Sequence, residues 1–179
     1  AVNLQKGQIE ATVHDRKIFV RRAALHAADS VLRVSGELGL DAKTAGKFDY
    51  QFRAADVAPW LALFQQKGSG SVELAGHARG NPADLQTQGT VHLSGLKLDG
   101  AAVRNGNVKF AVRGSAEQPF PQGVVTIRLA GVESGVALRR LDGEATLTRA
   151  PAQTIQLELS AQDNAERKTD GSSHEPSPN

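Results

Sequence analysis

The histidines are the residues of this chain best suited to bind a metal ion or to transfer protons, and they are widely spaced. They stand at positions 14, 26, 77, 92 and 174, with no pair four residues apart and no His-Glu-x-x-His arrangement. A zinc site would therefore have to be assembled from distant segments. His14 and His92 fall within alternating segments, where a solvated histidine on a sheet surface is the simpler interpretation.

Groups for nucleophilic or phosphate chemistry are not arranged in a recognised motif either. The chain has no cysteine and no Gly-x-Ser-x-Gly sequence, and no two carboxylates share an apolar strand face as a glycosidase would require. The segment Gly68-Ser69-Gly70-Ser71 is rich in glycine, but it lacks the lysine and the following helix of a P-loop, so a flexible link explains it better. We therefore predict a protein that is not an enzyme and that uses no cofactor and no metal.

The charges are nearly balanced, with 21 Lys and Arg against 19 Asp and Glu. A protein that neutralises several phosphates normally has a clustered basic surplus, so nucleic acid is not an expected partner. The longest apolar run, residues 57 to 64, is much shorter than the roughly 20 residues of a membrane-spanning helix. The lack of cysteine fits an oxidising compartment as well as the cytosol. Because methionine is also absent, we expect Ala1 to follow a processing event or a boundary inside a longer protein.

Apolar and polar residues alternate along most of the chain. Phe48, Tyr50 and Phe52, for example, are separated by charged or polar residues. This period of two is typical of strands with one apolar face. We therefore predict an all-β fold with at least eight strands, mainly antiparallel.

Two segments share the pattern Gly-x-Val-x-Leu-x-Gly, at residues 70–76 and 89–95, and residues 143–147 form a degenerate third copy. In each of them glycine stands where an alternating strand bends or ends. Such repetition favours an elongated, curled sheet of solenoid-like repeats over a single closed core. A β-sandwich is the alternative.

Two local signals predict where the strands turn or bend. Asn105-Gly106 lies between apolar runs and is the strongest short hairpin signal in the chain, because a type I′ turn needs positive φ at both central residues. At Gly95 the apolar positions change from odd to even numbers, which predicts a β-bulge.

One short segment departs from the alternation and predicts a helix over residues 56 to 65. Asp56 is the expected N-cap, and Trp60, Leu61 and Phe64 are spaced to share one helical face. In a β-rich protein such a helix is expected to pack on an edge or an end of the sheet.

The composition divides the chain into two parts. Residues 1–160 form the predicted β-repeat domain, with 1–66 and 67–160 as sub-repeats. Residues 161–179 contain no Leu, Ile, Val or Phe and are rich in charged residues, Ser and Pro, which predicts a disordered tail or linker.

The side of the predicted strands that carries the apolar residues is the candidate functional surface. In a β-sandwich this surface is a core that a second sheet covers, and nothing is left to bind. In a curled single sheet it lines a groove for acyl chains, and composition alone fits both arrangements. The apolar residues on this side are Leu32, Val34, Phe48, Tyr50, Phe52, Val72, Leu74, Val91, Leu93, Val108, Phe110, Val112, Val125, Ile127, Leu129, Ile155 and Leu157.

The segment from Gly68 to Gly100, GSGSVELAGHARGNPADLQTQGTVHLSGLKLDG, resembles the repeats of the AsmA-like and TamB group of bacterial envelope proteins. In that group a glycine-rich stretch is followed by an alternating strand and a further glycine. Residues 55–63, ADVAPWLAL, resemble the short Asp-Leu-x-Pro-Leu element that precedes such repeats. The similarity in style extends over residues 30–150.

The resemblance implies a β-taco, which is a long U-folded sheet with an apolar interior that carries phospholipid between the inner and outer membranes. It places the chain in the periplasm of a Gram-negative bacterium, within a longer protein anchored to the inner membrane. The implied partners are phospholipid, flanking repeats of the same chain and an outer-membrane barrel of the Omp85 class. The resemblance carries over no catalytic motif.

Overall fold

The computed structural model describes residues 4–115, 120–149 and 153–163. Within these residues, ten antiparallel strands form one open sheet in which each strand pairs with its neighbours in the sequence, so β1 and β10 are its described edges. This arrangement confirms the predicted all-β, mainly antiparallel fold. The strands are β1 (Leu4–His14), β2 (Lys17–Ala27), β3 (Ser30–Gly39), β4 (Gly46–Ala54), β5 (Gly68–Asn81), β6 (Asp84–Leu98), β7 (Ala101–Gly114), β8 (Gln122–Glu133), β9 (Ala137–Thr148) and β10 (Thr154–Asp163).

The strand register separates the side chains into two faces. Directly opposed residues of antiparallel neighbours lie on the same side of a sheet, and successive residues along a strand lie on opposite sides. The side that carries Leu32, its partner Phe52 on β4 and the next partner Leu74 on β5 is called the apolar face. The opposite side, which carries Arg33 and Arg53, is called the polar face.

The sheet has little conventional core. In the described part of the chain no large side chain is fully buried. Two face-to-face sheets would bury large side chains between them, whereas these strands belong to one sheet, so the β-sandwich alternative does not describe this chain. The buried apolar residues are few and mostly small: Val20, Ala24, Ala54, Val57, Ala78 and Val132.

The hairpin predicted at Asn105-Gly106 is wrong. Both residues lie inside β7, which is paired on both sides. A methyl group at Gly106 would lie 2.9 Å from a leucine side chain of β8, so this glycine provides space for packing instead of a turn. The chain reverses at Asp99-Gly100, where Gly100 has φ of 78°, a left-handed conformation that glycine adopts at little cost.

The predicted bulge at Gly95 is confirmed. Gly95 has φ of 57°, and the pairing of β5 with β6 shifts by one residue between Ser69 and Ser71. The two Gly-x-Val-x-Leu-x-Gly segments lie opposite each other in these strands and run antiparallel, with Gly76 facing Gly89.

The predicted short helix is confirmed, with two differences in detail. It consists of α1 (Ala58–Leu61) and a 3₁₀ turn (Ala62–Phe64). Its N-cap is the residue after Asp56, although the Asp56 carboxylate accepts a hydrogen bond of 3.0 Å from the first backbone N–H of α1. Phe64 is 77% exposed, so it does not share the packed surface of Trp60.

Strand β10 continues to Asp163, so residues 161–163 of the predicted tail belong to the sheet. The remainder of that prediction, residues 164–179, lies outside the described residues. The sheet is continuous across the predicted sub-repeat boundary at 66/67, because β4 pairs with β5. None of the described helical segments has the length and hydropathy needed to cross a bilayer.

Candidate functional site

The register brings all seventeen apolar residues of the candidate surface to the apolar face. Each strand from β3 to β8 contributes two or three of them, and β10 contributes Ile155 and Leu157. The result is one apolar surface that crosses the sheet at right angles to the strands. Its central row of opposed residues, from β3 to β10, is Leu32, Phe52, Leu74, Val91, Val108, Ile127, Gly143 and Leu159.

A second row shows how large and small residues fit together on this face. Tyr50 lies opposite Gly76, and Phe110 lies opposite Gly89. A methyl group at Gly76 would lie 2.5 Å from the Tyr50 hydroxyl, and one at Gly89 would lie 2.8 Å from Cζ of Phe110. The two aromatic rings therefore occupy the space above two adjacent glycines, where a side chain would collide with them. The Tyr50 hydroxyl is also hydrogen-bonded to Thr87 Oγ1 at 2.6 Å.

The apolar face also includes residues of β1 and β2 that the sequence analysis missed. Leu25 lies opposite Leu32, and Ile9 lies opposite Ala23 on the same side. The alternation in β2 is hidden because its pairing with β3 shifts between Val20 and Ala23. In β1 the alternation from Ile9 onward was a usable signal.

The two faces differ in exposure. From β3 to β9 the large apolar-face residues are half-buried, apart from the exposed Leu98 and the buried Val132. Lys47, Glu73 and Lys109 on the polar face are exposed. Toward the edges the apolar face becomes more exposed, with Ile9 at 67% and Ile155 at 63%. The central residues are therefore shielded mainly by one another, since no second layer is packed on them within the described residues.

The helical segment covers one end of the apolar face. The indole of Trp60 packs edge-on against Phe52, with ring centroids 5.3 Å apart, and its Nε1 donates a hydrogen bond of 2.7 Å to Ser30 Oγ. Leu61 extends over Gly68, at the start of β5. This end is thus bounded by an aromatic side chain.

The polar face is built from charged pairs and open depressions. The guanidinium of Arg53 lies 2.8 Å from the Glu73 carboxylate, and Arg113 binds Asp84 through two nitrogens. The hydrogen bonds from Arg113 lower the pKa of Asp84, with its positive charge adding to the effect. Such exposed pairs contribute little to stability, but they keep this face wet. The depressions among the described residues are lined mainly by polar-face side chains.

Among residues 4–115, 120–149 and 153–163, no three His, Asp or Glu side chains are grouped to hold a metal ion. Comparisons of this chain with protein-family models, with curated proteins and with solved structures gave no match.

Proposed function

We propose that this chain is a non-enzymatic segment of a lipid conduit whose apolar face shields the acyl chains of phospholipids. The observation that supports the proposal is an apolar surface that crosses the whole sheet and that no second layer covers in the described part of the chain. The setting we propose is the periplasm of a Gram-negative bacterium, between the inner and outer membranes, within a longer protein anchored to the inner membrane. An outer-membrane barrel of the Omp85 class is the proposed partner.

The dimensions of the surface suit this role. Ten strands about 4.8 Å apart give an apolar path of roughly 43 Å across the sheet. The hydrocarbon core of a bilayer is about 30 Å thick, and an acyl chain spans one of its two leaflets. An acyl chain is therefore about half as long as this core is thick, and the apolar path is longer than one chain. Each methylene that the face removes from water contributes about 0.8 kcal/mol. A lipid tail held along the rows of opposed residues would therefore be strongly favoured over one in water.

The lower exposure of the apolar face supports a sheet that curls toward this side. In a flat single sheet the two faces have similar access to solvent, whereas curling brings the side chains of the inner face together. Half-buried side chains on the apolar face and exposed ones on the polar face fit the curled form. Trp60 would then cover the ends of β3 and β4 at the border of the resulting groove.

The edges of the sheet support the proposal that flanking repeats continue it. All ten residues of β10 are exposed, and the strand contains no proline and no lysine. Protected edge strands usually carry such residues or are covered. A further strand paired to β10 would extend the apolar face beyond Ile155 and Leu157.

A structural or adhesive module without a ligand is the second candidate. The observation that favours it is the same exposed edge strand β10, because strands that add to an edge can join proteins without any lipid. The two candidates differ in what contacts the middle of the apolar face.

The experiment that tests the conduit is photo-crosslinking of lipid to the longer protein in cells, with the crosslinker at Val91. Leu93→Arg places a charge on the apolar face, and His92→Arg places the same charge on the polar face of the same strand. We expect Leu93→Arg to reduce the lipid adduct several-fold and His92→Arg to leave it unchanged. No lipid adduct in the unmodified protein, or equal adducts in both variants, would contradict the proposal.

Thermal melting of the same two variants separates function from folding. Leu93 is half-buried, so its loss should cost about 1 kcal/mol, roughly half of the value for a fully buried leucine. A charge in a covered core would cost several kcal/mol. Near-native melting of Leu93→Arg supports an open face, and collapse of the fold counts against it.

A further inference from the structure

The polar face has a basic cavity that the apolar face does not explain. It has a volume of about 630 Å³ and lies across β5 to β9, at the end of the sheet opposite α1. Its lining includes Arg79, Arg113, Arg149 and His77, and none of the described residues that line it carries a carboxylate. It is open to solvent on one side, and its volume falls within the range found for small-ligand sites.

The strand register spaces the cations of this cavity regularly. Arg79 on β5 is opposed by Gln86 on β6, which is opposed by Arg113 on β7, which is opposed by Gln122 on β8. Two arginines separated by one strand stand roughly 10 Å apart at the backbone, and their long side chains can converge on a group between them. Lys47 on β4 continues the row beyond Arg79.

The hydrogen bonds within the row orient the guanidinium groups. Nε of Arg79 donates to Oε1 of Gln86 at 3.1 Å, and its two Nη groups have no partner among the described residues. Arg113 is held by Asp84, with 2.6 Å between Nη2 and Oδ2. Nη2 of Arg149 donates to the carbonyl of Phe120 at 2.9 Å.

The nearby carboxylates do not cancel the positive charge. Asp84 offsets Arg113, and Asp49 lies opposite His77 in the register. Glu37 lies opposite Lys47 and is paired with Lys17 at 2.9 Å. Against these three acids stand Lys17, Lys47 and the three arginines of the cavity, so the charge balance among the described residues is positive.

We propose that this cavity binds the phosphate of a phosphate ester or a free phosphate ion, with Arg79 as its main ligand and Arg113, Gln86 and Gln122 as further donors. Guanidinium groups match phosphate oxygens in pairs, and the amides of the two glutamines supply neutral donors. The bound phosphate group belongs either to the headgroup of an anionic lipid or to phosphate in solution. The site lies on the polar face, so it does not depend on the proposed conduit.

The test compares Arg79→Gln with Arg33→Gln, which removes the same charge from an exposed polar-face position on β3 outside this cavity. Binding of inorganic phosphate is measured by calorimetry at about 150 mM salt, where interactions between distant surface charges are screened. Flotation with vesicles of phosphatidylglycerol, and of phosphatidylcholine as the uncharged reference, measures headgroup binding. Because Arg79 is exposed, we expect both variants to melt like the unmodified protein.

We expect Arg79→Gln to weaken binding about tenfold or more and Arg33→Gln to leave it unchanged. Loss of phosphate binding in calorimetry would identify phosphate in solution as a ligand. Loss confined to flotation with phosphatidylglycerol would identify the lipid headgroup. Equal loss in both variants would show a diffuse charge effect, and no binding of either probe would show no site; either result overturns the proposal.

Discussion

The contact between Tyr50 and Gly76 gives the sharpest test of the packing on the apolar face. In Gly76→Ala, the added methyl group would lie 2.5 Å from the Tyr50 hydroxyl and 2.6 Å from the backbone carbonyl oxygen of Gln88. Neither distance is tolerable for a carbon atom, and the carbonyl belongs to the paired strand. The tyrosine ring must therefore move, and its hydrogen bond to Thr87 must break.

The expected cost follows from these contacts. Overpacking of this kind costs about 1–3 kcal/mol, and the lost hydrogen bond about 1 kcal/mol. Alanine recovers about 0.4–1 kcal/mol by restricting the unfolded chain. The net destabilisation is about 1–3.5 kcal/mol, which corresponds to a decrease in Tm of about 2–14 °C for a domain of this size.

Gly114→Ala is the matched control. Gly114 also lies in a strand, and a methyl group there would meet no atom of the described residues within 4 Å. We expect this variant to melt at the native temperature or slightly above it. Thermal melting followed by circular dichroism compares the two proteins. If Gly76→Ala melts within about 1 °C of Gly114→Ala, the close packing of Tyr50 on Gly76 is wrong.

A double-mutant cycle identifies the displaced group. Tyr50→Phe removes the hydroxyl and should cost about 1 kcal/mol in the native chain. In the Gly76→Ala background the hydrogen bond is already lost, so the same change should cost close to nothing. Additive effects would contradict displacement of the Tyr50 hydroxyl.

Three further predictions concern a turn, an ion pair and an edge. Ala28 has φ of 44° in the two-residue turn between β2 and β3, so Ala28→Gly should relieve backbone strain and raise the free energy of unfolding in urea by about 1 kcal/mol; an unchanged or lower value would contradict this. Arg113 lowers the pKa of Asp84 in the folded protein. The ionised carboxylate therefore stabilises the fold at pH values above its unfolded pKa of about 3.9. This stabilisation is lost as the pH falls through the lower pKa of the folded state. Asp84→Asn should therefore make stability less dependent on pH below about 5, and identical pH profiles would count against it. Leu157 is 52% exposed on the edge strand β10, so Leu157→Lys should reduce self-association in light scattering, since a charge there blocks strand addition; unchanged association would show that β10 is not the contact.

The sequence predicted the strands and their faces because both depend on local alternation. Phe48, Tyr50 and Phe52 alternate with polar residues, and the side-chain period of a strand is two. Assigning one face per strand therefore needed no knowledge of the neighbours. The same local reasoning predicted the bulge at Gly95 and the short helix near Trp60.

Local signals failed where a neighbouring strand determines the role of a residue. Asn105-Gly106 has the ideal composition for a turn, but Gly106 lies in β7 beneath leucine side chains of β6 and β8. The chain turns at Asp99-Gly100 instead. The basic cavity was missed for a related reason, because Arg79 and Arg113 are 34 positions apart in the sequence and only the register aligns them.

Alternation by itself fits two sheets packed together as well as one sheet on its own. The order of the strands decides between them, because consecutive pairing from β1 to β10 leaves no strands to form a second sheet within the described residues. The residues of the candidate surface were therefore determined by the sequence. Their openness was decided by the tertiary structure, since whether an apolar face is covered depends on which distant strands pack against it.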